Sequence, residues 1–321
     1  MSGSVVVLND TRRDPLHIGC KAVMRNLFEL CQRSGMEVVA SFKSPKSYQT
    51  DDFAAALKKA DAVIVNGEGT MHHDKKAAAQ IVESVRLAKE AGKKAYLINS
   101  IWQDNPVLSG RLGLFDRIYV RESFSQKQVI GAGHNATVVP DLSFFGTDRH
   151  SDPRSDGKDL TFVDSVLSET SRFIAVAALR HDCDFFCMTD KAKRRLRNAV
   201  LRTRFRQNGR SFRILREEDL RGKVITGRFH AMCFALKFGL PFLAVTSNSH
   251  KVEAVISDIG LDPREHILSP DTHSQEILDE RIRELDFWPE KTAAKIDDYV
   301  KKAQSAIPHM FREIADDISS A

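Results

Sequence analysis

Lys223-Val-Ile-Thr-Gly-Arg-Phe-His-Ala-Met-Cys-Phe-Ala-Leu-Lys-Phe-Gly-Leu-Pro241 reads as a buried strand that turns straight into a helix. Gly239 and Pro241 close that helix, as a glycine just past the last turn and a following proline do. Arg228 and His230 fall at the junction. A helix start offers unpaired backbone N–H groups and the positive end of the helix dipole, so an anion docked there gains both besides the guanidinium. The plainer reading is a helix start whose arginine pairs with a nearby carboxylate and whose histidine satisfies a core carbonyl.

Outward from this stretch, strands and helices alternate along the whole chain. Apolar runs at Val5–Leu8, Val38–Ser41, Ala62–Val65, Ala95–Ile98, Arg117–Val120 and Ala136–Val139 predict strands. Helical patterns fall near Ala22–Arg33, Phe53–Lys59 and Ala77–Ala91; Val23, Leu27 and Leu30 share one face of the first, and Gly35 stops it. Gly146–Lys158, rich in Asp, Arg, Ser and Gly, reads as a linker. Beyond it, Leu160–Asp164, Asp184–Met188, Phe212–Leu215, Lys223–Thr226 and Phe242–Val245 predict a second strand set, with the clearer helices at Glu169–Leu179 and Lys251–Ile259. Thr292–Ile318 is a long amphipathic pattern interrupted at Pro308, placed to pack back on the first domain. Strands separated by helices need crossovers, so an α/β fold with two largely parallel sheets is expected, one in residues 1–148 and one in 159–321.

Of 321 residues, 42% are hydrophobic and 28% charged, the balance of an ordinary globular protein. Val5–Leu8 follows the start with no basic n-region before it and no cleavage site after it, and no apolar run reaches the roughly 20 residues of a membrane span. A cytoplasmic protein is expected. Five cysteines form no even framework, and Cys183 and Cys187 lack a second ligand pair, so all are read as free thiols. The net charge of +5 is modest, but Lys191–Arg206 gathers basic residues on one predicted helix. Acidic lipid, an anionic substrate and a merely solvated face all remain open for that run, which fits peripheral association with the inner face of a membrane. With no interleaved stacking aromatics, no nucleic-acid partner is expected.

Ligands of open α/β sheets bind outside the carboxyl ends of the strands, and polar clusters recur at those ends here. Asn9–Thr11 and His17-Ile-Gly-Cys20 follow the first strand; Asn66-Gly67-Glu68-Gly69-Thr70, His72 and His73 follow the third; Arg121, Ser123 and Asp141 come later. The glycine loop lets backbone approach a ligand, yet it lacks the Walker lysine pattern and the dinucleotide Gly-x-Gly-x-x-Gly. Its plainer role is a tight turn needing positive φ. His72 and His73 could each act as an acid or base, because imidazole titrates near neutrality, and a satisfied structural histidine is as open for each. Adjacent histidines point in different directions, so no metal site is expected. Arg121 and Arg228, one from each half, suit a clamp on a carboxylate and a phosphate; Arg121 could equally partner Glu122 or Asp116.

His17-Ile-Gly-Cys20, Asn66-Gly-Glu-Gly-Thr70, Arg121-Glu-Ser-Phe-Ser125, Pro140-Asp141-Leu-Ser-Phe144 and Thr226-Gly-Arg-Phe-His230 with Ala235-Leu-Lys-Phe-Gly-Leu-Pro241 occur in the order seen in the polysaccharide pyruvyl transferases. The chain resembles that family over about residues 5–260. The resemblance implies two Rossmann-like domains facing each other across a cleft, a GT-B-like arrangement. It also implies transfer of a pyruvyl group from phosphoenolpyruvate to two hydroxyls of a sugar, in a cell-surface polysaccharide or its lipid-linked precursor, with no cofactor. Carried over by motif, Arg228 and Arg121 bind the donor, and His230 is the acid with His72 or His17 as base. Asn66, Gly67, Glu68, Gly69, Thr70, His73, Ser123, Asp141, Gly227 and Phe229 line the substrates.

Two other readings share such a fold, since fold alone does not decide function. One is a glycosyltransferase using a nucleotide-activated sugar, which an acidic or aromatic contact to ribose or base in the second half would favour; Asn248 and Ser249 are neutral candidates there. The other is a catalytically inactive binding protein, against which the intact Arg228 and His230 argue.

Overall fold

A computed structural model describes residues 3–12, 17–43, 48, 50–146, 159–189, 199–245, 249–269 and 274–320. Met1–Arg13, Cys20–Phe145 and Lys302–Ala321 form one compact unit; Asp14–Gly19 and Gly146–Lys301 form the other.

The first unit contains β1 (Ser4–Leu8), α1 (Ile18–Arg33, from Cys20 onward), β2 (Glu37–Phe42), α2 (Asp51–Lys59), β3 (Ala62–Glu68), α3 (Lys76–Glu90), β4 (Lys94–Ser100), β5 (Arg117–Val120), α4 (Ser123–Gly131) and β6 (Thr137–Val138). All strands pair in parallel, in the order β2-β1-β3-β4-β5-β6. Val5, Val6, Val7 and Leu8 of β1 and Val63, Ile64 and Val65 of β3 are fully buried, which is why these strands are unbroken apolar runs rather than alternating ones.

The Asn66–Thr70 segment departs from the sequence expectation. β3 does not stop at Val65 but continues to Glu68, with Asn66 and Glu68 in register with Ile98 and Ser100. Neither Gly67 nor Gly69 takes a positive φ; Glu68 does, at 40°. Gly67 is instead required by close packing, because a Cβ there would stand 2.3 Å from Ser100 Oγ and 2.9 Å from Ser100 Cα.

The second unit contains β7 (Leu160–Ser165), α5 (Ser168–Arg180), β8 (Phe185–Cys187), α6 (Ala199–Gln207), β9 (Phe212–Ile214), β10 (Lys223–Gly227), α7 (Phe229–Lys237), β11 (Phe242–Val245), α8 (Lys251–Ile259), α9 (Pro263–His266), β12 (Ile267–Leu268), α10 (Gln275–Glu284) and the start of α11 (Glu290–Ser319). Its parallel order is β12-β11-β10-β7-β8-β9, so chain direction across the sheet reverses between β7 and β10. That reversal is a topological switch point, where Rossmann-type sheets open a crevice for ligands. The expected linker and the start of the basic run fall on residues 147–158 and 190–198, outside the described residues. No helix among the described residues is long and apolar enough to cross a membrane.

Pro308 does not interrupt α11, which is continuous from Glu290 to Ser319. Ala303, Ile307, Met310, Phe311 and Ile314 are buried in the first unit. Below them, Tyr96 Oη donates to Asp317 Oδ2 at 2.5 Å and Tyr119 Oη to Glu313 Oε2 at 3.2 Å. Full burial of large apolar side chains, at about 1.5–3 kcal/mol each, outweighs the roughly 3 kcal/mol cost of an interior proline. Pro308→Ala should therefore restore a backbone donor without disturbing the packing and raise the thermal midpoint by a few degrees. An unchanged or lower midpoint in scanning calorimetry would count against this account.

Candidate functional site

In the first unit, the carboxyl ends of β1, β3 and β4 each carry a non-glycine residue at positive φ: Asn9 at 59°, Glu68 at 40° and Asn99 at 53°. Backbone of this kind costs about 1–3 kcal/mol per residue and persists only where the surroundings over-determine it. Here the surroundings are one buried amide network. Asn9 Nδ2 donates to Asn66 O (2.7 Å) and Thr70 Oγ1 (3.2 Å), and Asn99 Nδ2 donates to Asn66 Oδ1 (3.0 Å). Asn66 Nδ2 donates to Glu68 Oε1 (3.1 Å), which also accepts from Thr11 Oγ1 (2.5 Å). Cys20 Sγ lies 3.7 Å from Glu68 Oε2, and burial beside that carboxylate pushes its thiol pKa well up, away from thiolate chemistry.

Arg121 is buried and paired with Asp141, Nη1 to Oδ2 at 2.8 Å; the partner is neither Glu122 nor Asp116. Asp141 Oδ1 accepts from Ser143 N, and Glu122 caps α4 at Ser123 by accepting from Ser125 N.

His72 has both ring nitrogens engaged, with Lys75 Nζ at 2.6 Å from Nε2 and His73 Nδ1 at 2.6 Å from Nδ1. A lysine ammonium only donates, so Nε2 accepts, and His72 gives its own proton from Nδ1 to His73. That leaves the His73 N–H on Nε2, facing Asp104 Oδ2 at 3.4 Å. Burial lowers the pKa of Lys75, a residue that sequence reading passes over because it stands among other lysines.

In the second unit, β7 and β10 meet at the switch point. A Cβ on Gly227 would lie 2.4 Å from Ser165 Cβ, so glycine is again a packing requirement. Register there passes from Thr226↔Val163 to Gly227↔Ser165, skipping Asp164. The skipped residue meets Arg228: Nε to Oδ1 at 2.9 Å and Nη2 to Oδ2 at 2.5 Å, with Asp164 fully buried and Met188 N also donating to Oδ1. Burial pushes the Asp164 carboxyl above its usual range while the guanidinium pulls the other way.

Arg228 is the N-cap of α7, whose first residues are Phe229 and His230. The His230 ring sits edge-on to His17, centroids 5.5 Å apart, and against Gly19, where a Cβ would meet His230 Cγ at 2.3 Å. Burial, with His230 and Arg228 close by, pushes His17 down to about 3, so it is uncharged at neutral pH.

The second unit thus gathers His17, Arg228, His230, Gly227 and Phe229, and the first gathers Asn66–Thr70, with Arg121 and Asp141 as a separate pair. Asn248 lies outside the described residues. Asn9 and Asn99 stand at strand ends, as the sequence pattern indicates, whereas sequence reading does not single out Asp164 or Glu253, although each is likewise a polar residue at or just beyond a strand end. Glu253, in the first turn of α8 beyond β11, has Oε2 buried without a hydrogen-bond partner, and burial raises its carboxyl pKa. Among the described residues no group of three or more His, Cys, Asp or Glu side chains is placed to hold a metal ion.

No family model and no curated protein matches the chain. In three dimensions its whole length is similar to known transferases. The lipopolysaccharide outer core galactosyltransferase WaaB aligns with a TM-score of 0.53 at 10% identity, over 95% of this chain and 99% of that one. MurG of Acinetobacter baumannii aligns at 0.54 and 11%, over 99% and 100%. Arabidopsis thaliana UGT89C1 complexed with UDP-L-rhamnose aligns at 0.56 and 9%, over 99% of each. The chain has the GT-B fold. At such identities the likeness is one of fold.

The second-unit geometry makes the Asp164–Arg228 pair and His17 testable. Asp164→Ala leaves a largely buried guanidinium unmatched and should cost about 3–5 kcal/mol, whereas the double variant with Arg228→Met should cost less than the sum of the singles; additive urea-unfolding losses would show that the pair is not coupled. Because folding holds His17 at about 3 against 6.5 in the open chain, the unfolded state binds the proton first, and stability falls as pH drops through 6.5 towards 3. His17→Gln should flatten that fall, measured as urea midpoints at neutral and acidic pH.

Proposed function

We propose that the chain is a GT-B-type glycosyltransferase that takes a nucleotide-activated sugar and delivers the sugar to a glycan or lipid-linked glycan. Glu253 carries the reading. Its carboxylate stands beyond the carboxyl end of β11, one strand from the β10 switch point, with one oxygen buried and unmatched. Two carboxylate oxygens suit the adjacent hydroxyls of a ribose, and the N-terminus of α7, where the Arg228 side chain makes no capping bond, suits a diphosphate. UDP-L-rhamnose bound to one solved structure of this fold supports the same donor class.

Pyruvyl transfer from phosphoenolpyruvate, the reaction of the family that the motifs resemble, is the second reading. The His17–His230 pair beside Arg228 favours it: His230 would protonate the methylene carbon as a sugar hydroxyl adds to the neighbouring carbon and uncharged His17 takes the hydroxyl proton, after which phosphate leaves and a second hydroxyl closes the ketal. Neither reading calls for a bound cofactor.

Calorimetric titration with a panel of nucleotide sugars and with phosphoenolpyruvate separates the two. The expected result is saturable binding of one nucleotide sugar, weakened roughly ten-fold or more in Glu253→Ala, as loss of charge-assisted hydrogen bonds implies. Binding of phosphoenolpyruvate alone, indifferent to Glu253→Ala and lost in Arg228→Ala, would replace the first reading by the second.

We also propose that the protein works in the cytoplasm and docks on the inner face of the membrane through the basic helix, whose described part exposes Arg202, Arg204 and Arg206. Flotation with anionic vesicles should be lost on neutralising Arg204 and Arg206; flotation unchanged by that substitution would remove the helix from the account.

A further inference from the structure

The second unit holds a cavity of about 690 Å³, within the range of small-molecule sites. Leu243, near the amino end of β11, and His266, just before β12, both line it. The strands being parallel, the cavity lies at their amino ends, on the edge of the sheet opposite Asp164, Arg228 and Glu253.

Part of its wall is aromatic. His266 and Trp288 line it with centroids 5.3 Å apart, and Phe242, not itself a lining residue, packs against Trp288 at 5.7 Å. His266 is 8% exposed, and its Nδ1 is buried without a hydrogen-bond partner; Trp288 Nε1 is likewise unmatched. An orphaned donor and an orphaned imidazole nitrogen at one place are costly and call for an explanation. Burial lowers the pKa of His266 and keeps the ring neutral, able to accept at Nδ1.

The rim is acidic. Arg264 is taken up by Asp262 at 2.6 Å, and Arg281 donates to the carbonyl oxygens of Glu265 and Arg264. Glu265, Glu284 and Asp286 then face the cavity with no ion-pair partner among the described residues. An anion would meet spent guanidiniums and a negative rim, whereas an ammonium gains both the carboxylates and the face of the indole. The unmatched pair beneath asks for a group that accepts from Trp288 Nε1–H and donates to His266 Nδ1, which a hydroxyl does. Trp288 is half-buried on the connector between α10 and α11 and lines the cavity beside His266.

We propose that this cavity is a second binding site, for a small hydroxylated amine with the chemistry of an amino sugar. It stands independently of the donor reading above.

Trp288 and Trp102 are the chain's two tryptophans, and Trp102 Nε1 is bonded to Ser109 in the first unit, so the two indole N–H resonances report separately. Titration of the full chain with glucosamine, N-acetylglucosamine and glucose, the Trp288 peak being assigned from Trp288→Phe, tests the site. Glucosamine should shift the Trp288 resonance saturably and leave Trp102 still, and the two uncharged sugars should move neither resonance. The double variant Glu284→Gln with Asp286→Asn, at exposed side chains, should bind glucosamine roughly three- to ten-fold more weakly. An unmoved Trp288 resonance, an equal response to glucose or N-acetylglucosamine, or undiminished binding by the acid variant would each overturn the proposal. Because the donor experiment reads Glu253 on the opposite edge, failure of one is distinguishable from failure of the other.

Discussion

Strands approach so closely at their carboxyl ends that only glycine fits, at Gly67 against Ser100 in the first unit and at Gly227 against Ser165 in the second. That contact dictates the path of the chain past each glycine. Beyond Gly67 the chain turns through Glu68 at positive φ, fixing its carboxylate on Asn66 and Thr11. At Gly227 the register skips Asp164, which turns the skipped carboxylate to Arg228 just as the chain enters α7. A Cβ at either position would push the strand ends apart and release the polar groups that stand there.

Charge compensation is the second constraint, and it alters what the arginines can do. A fully buried carboxylate is tolerable only with a matched partner, so Asp141 and Asp164 each commit a guanidinium. Arg121, at 1% exposed, is thereby committed to a buried pair within the first unit. Arg228 keeps 12% of its side chain exposed while both Nε and Nη2 are held, so it lends positive potential to the start of α7 from a fixed position. Preorganised charge of this kind acts on a ligand without reorganising.

The strands are legible because parallel sheets covered on both faces require unbroken apolar runs, and Val5–Leu8 or Phe242–Val245 admit little else. β12 is not, since two residues carry no period. Asn66–Thr70 looks like a loop because glycine and polar residues usually mark one, whereas here Gly67 marks the approach of a neighbouring strand and Asn66 is buried in amide bonds. Pro308 misleads in the same way: its local cost is real, but the buried side chains around it decide the outcome. Arg228 and His230 stand out through their motif, whereas Asp164, their partner in charge, lies 64 positions away and only the pairing of β7 with β10 brings it in. Sequence shows which groups end a strand; topology decides which of them meet.

That meeting has a further consequence at the start of α7. His17, His230 and Arg228 crowd together, and His17 stays uncharged because burial, with His230 and Arg228 beside it, makes a charge there unfavourable. An anion seated on the same helix start would reverse the sign of the local field, favouring the imidazolium form of His17 and, by linkage, drawing a proton onto it. Occupancy by an anion and the charge on His17 are then coupled parts of one equilibrium. With the site empty His17 is neutral and able to accept, and an anion at the helix start raises its proton affinity, so a proton is taken up more readily once a phosphate or carboxylate has arrived.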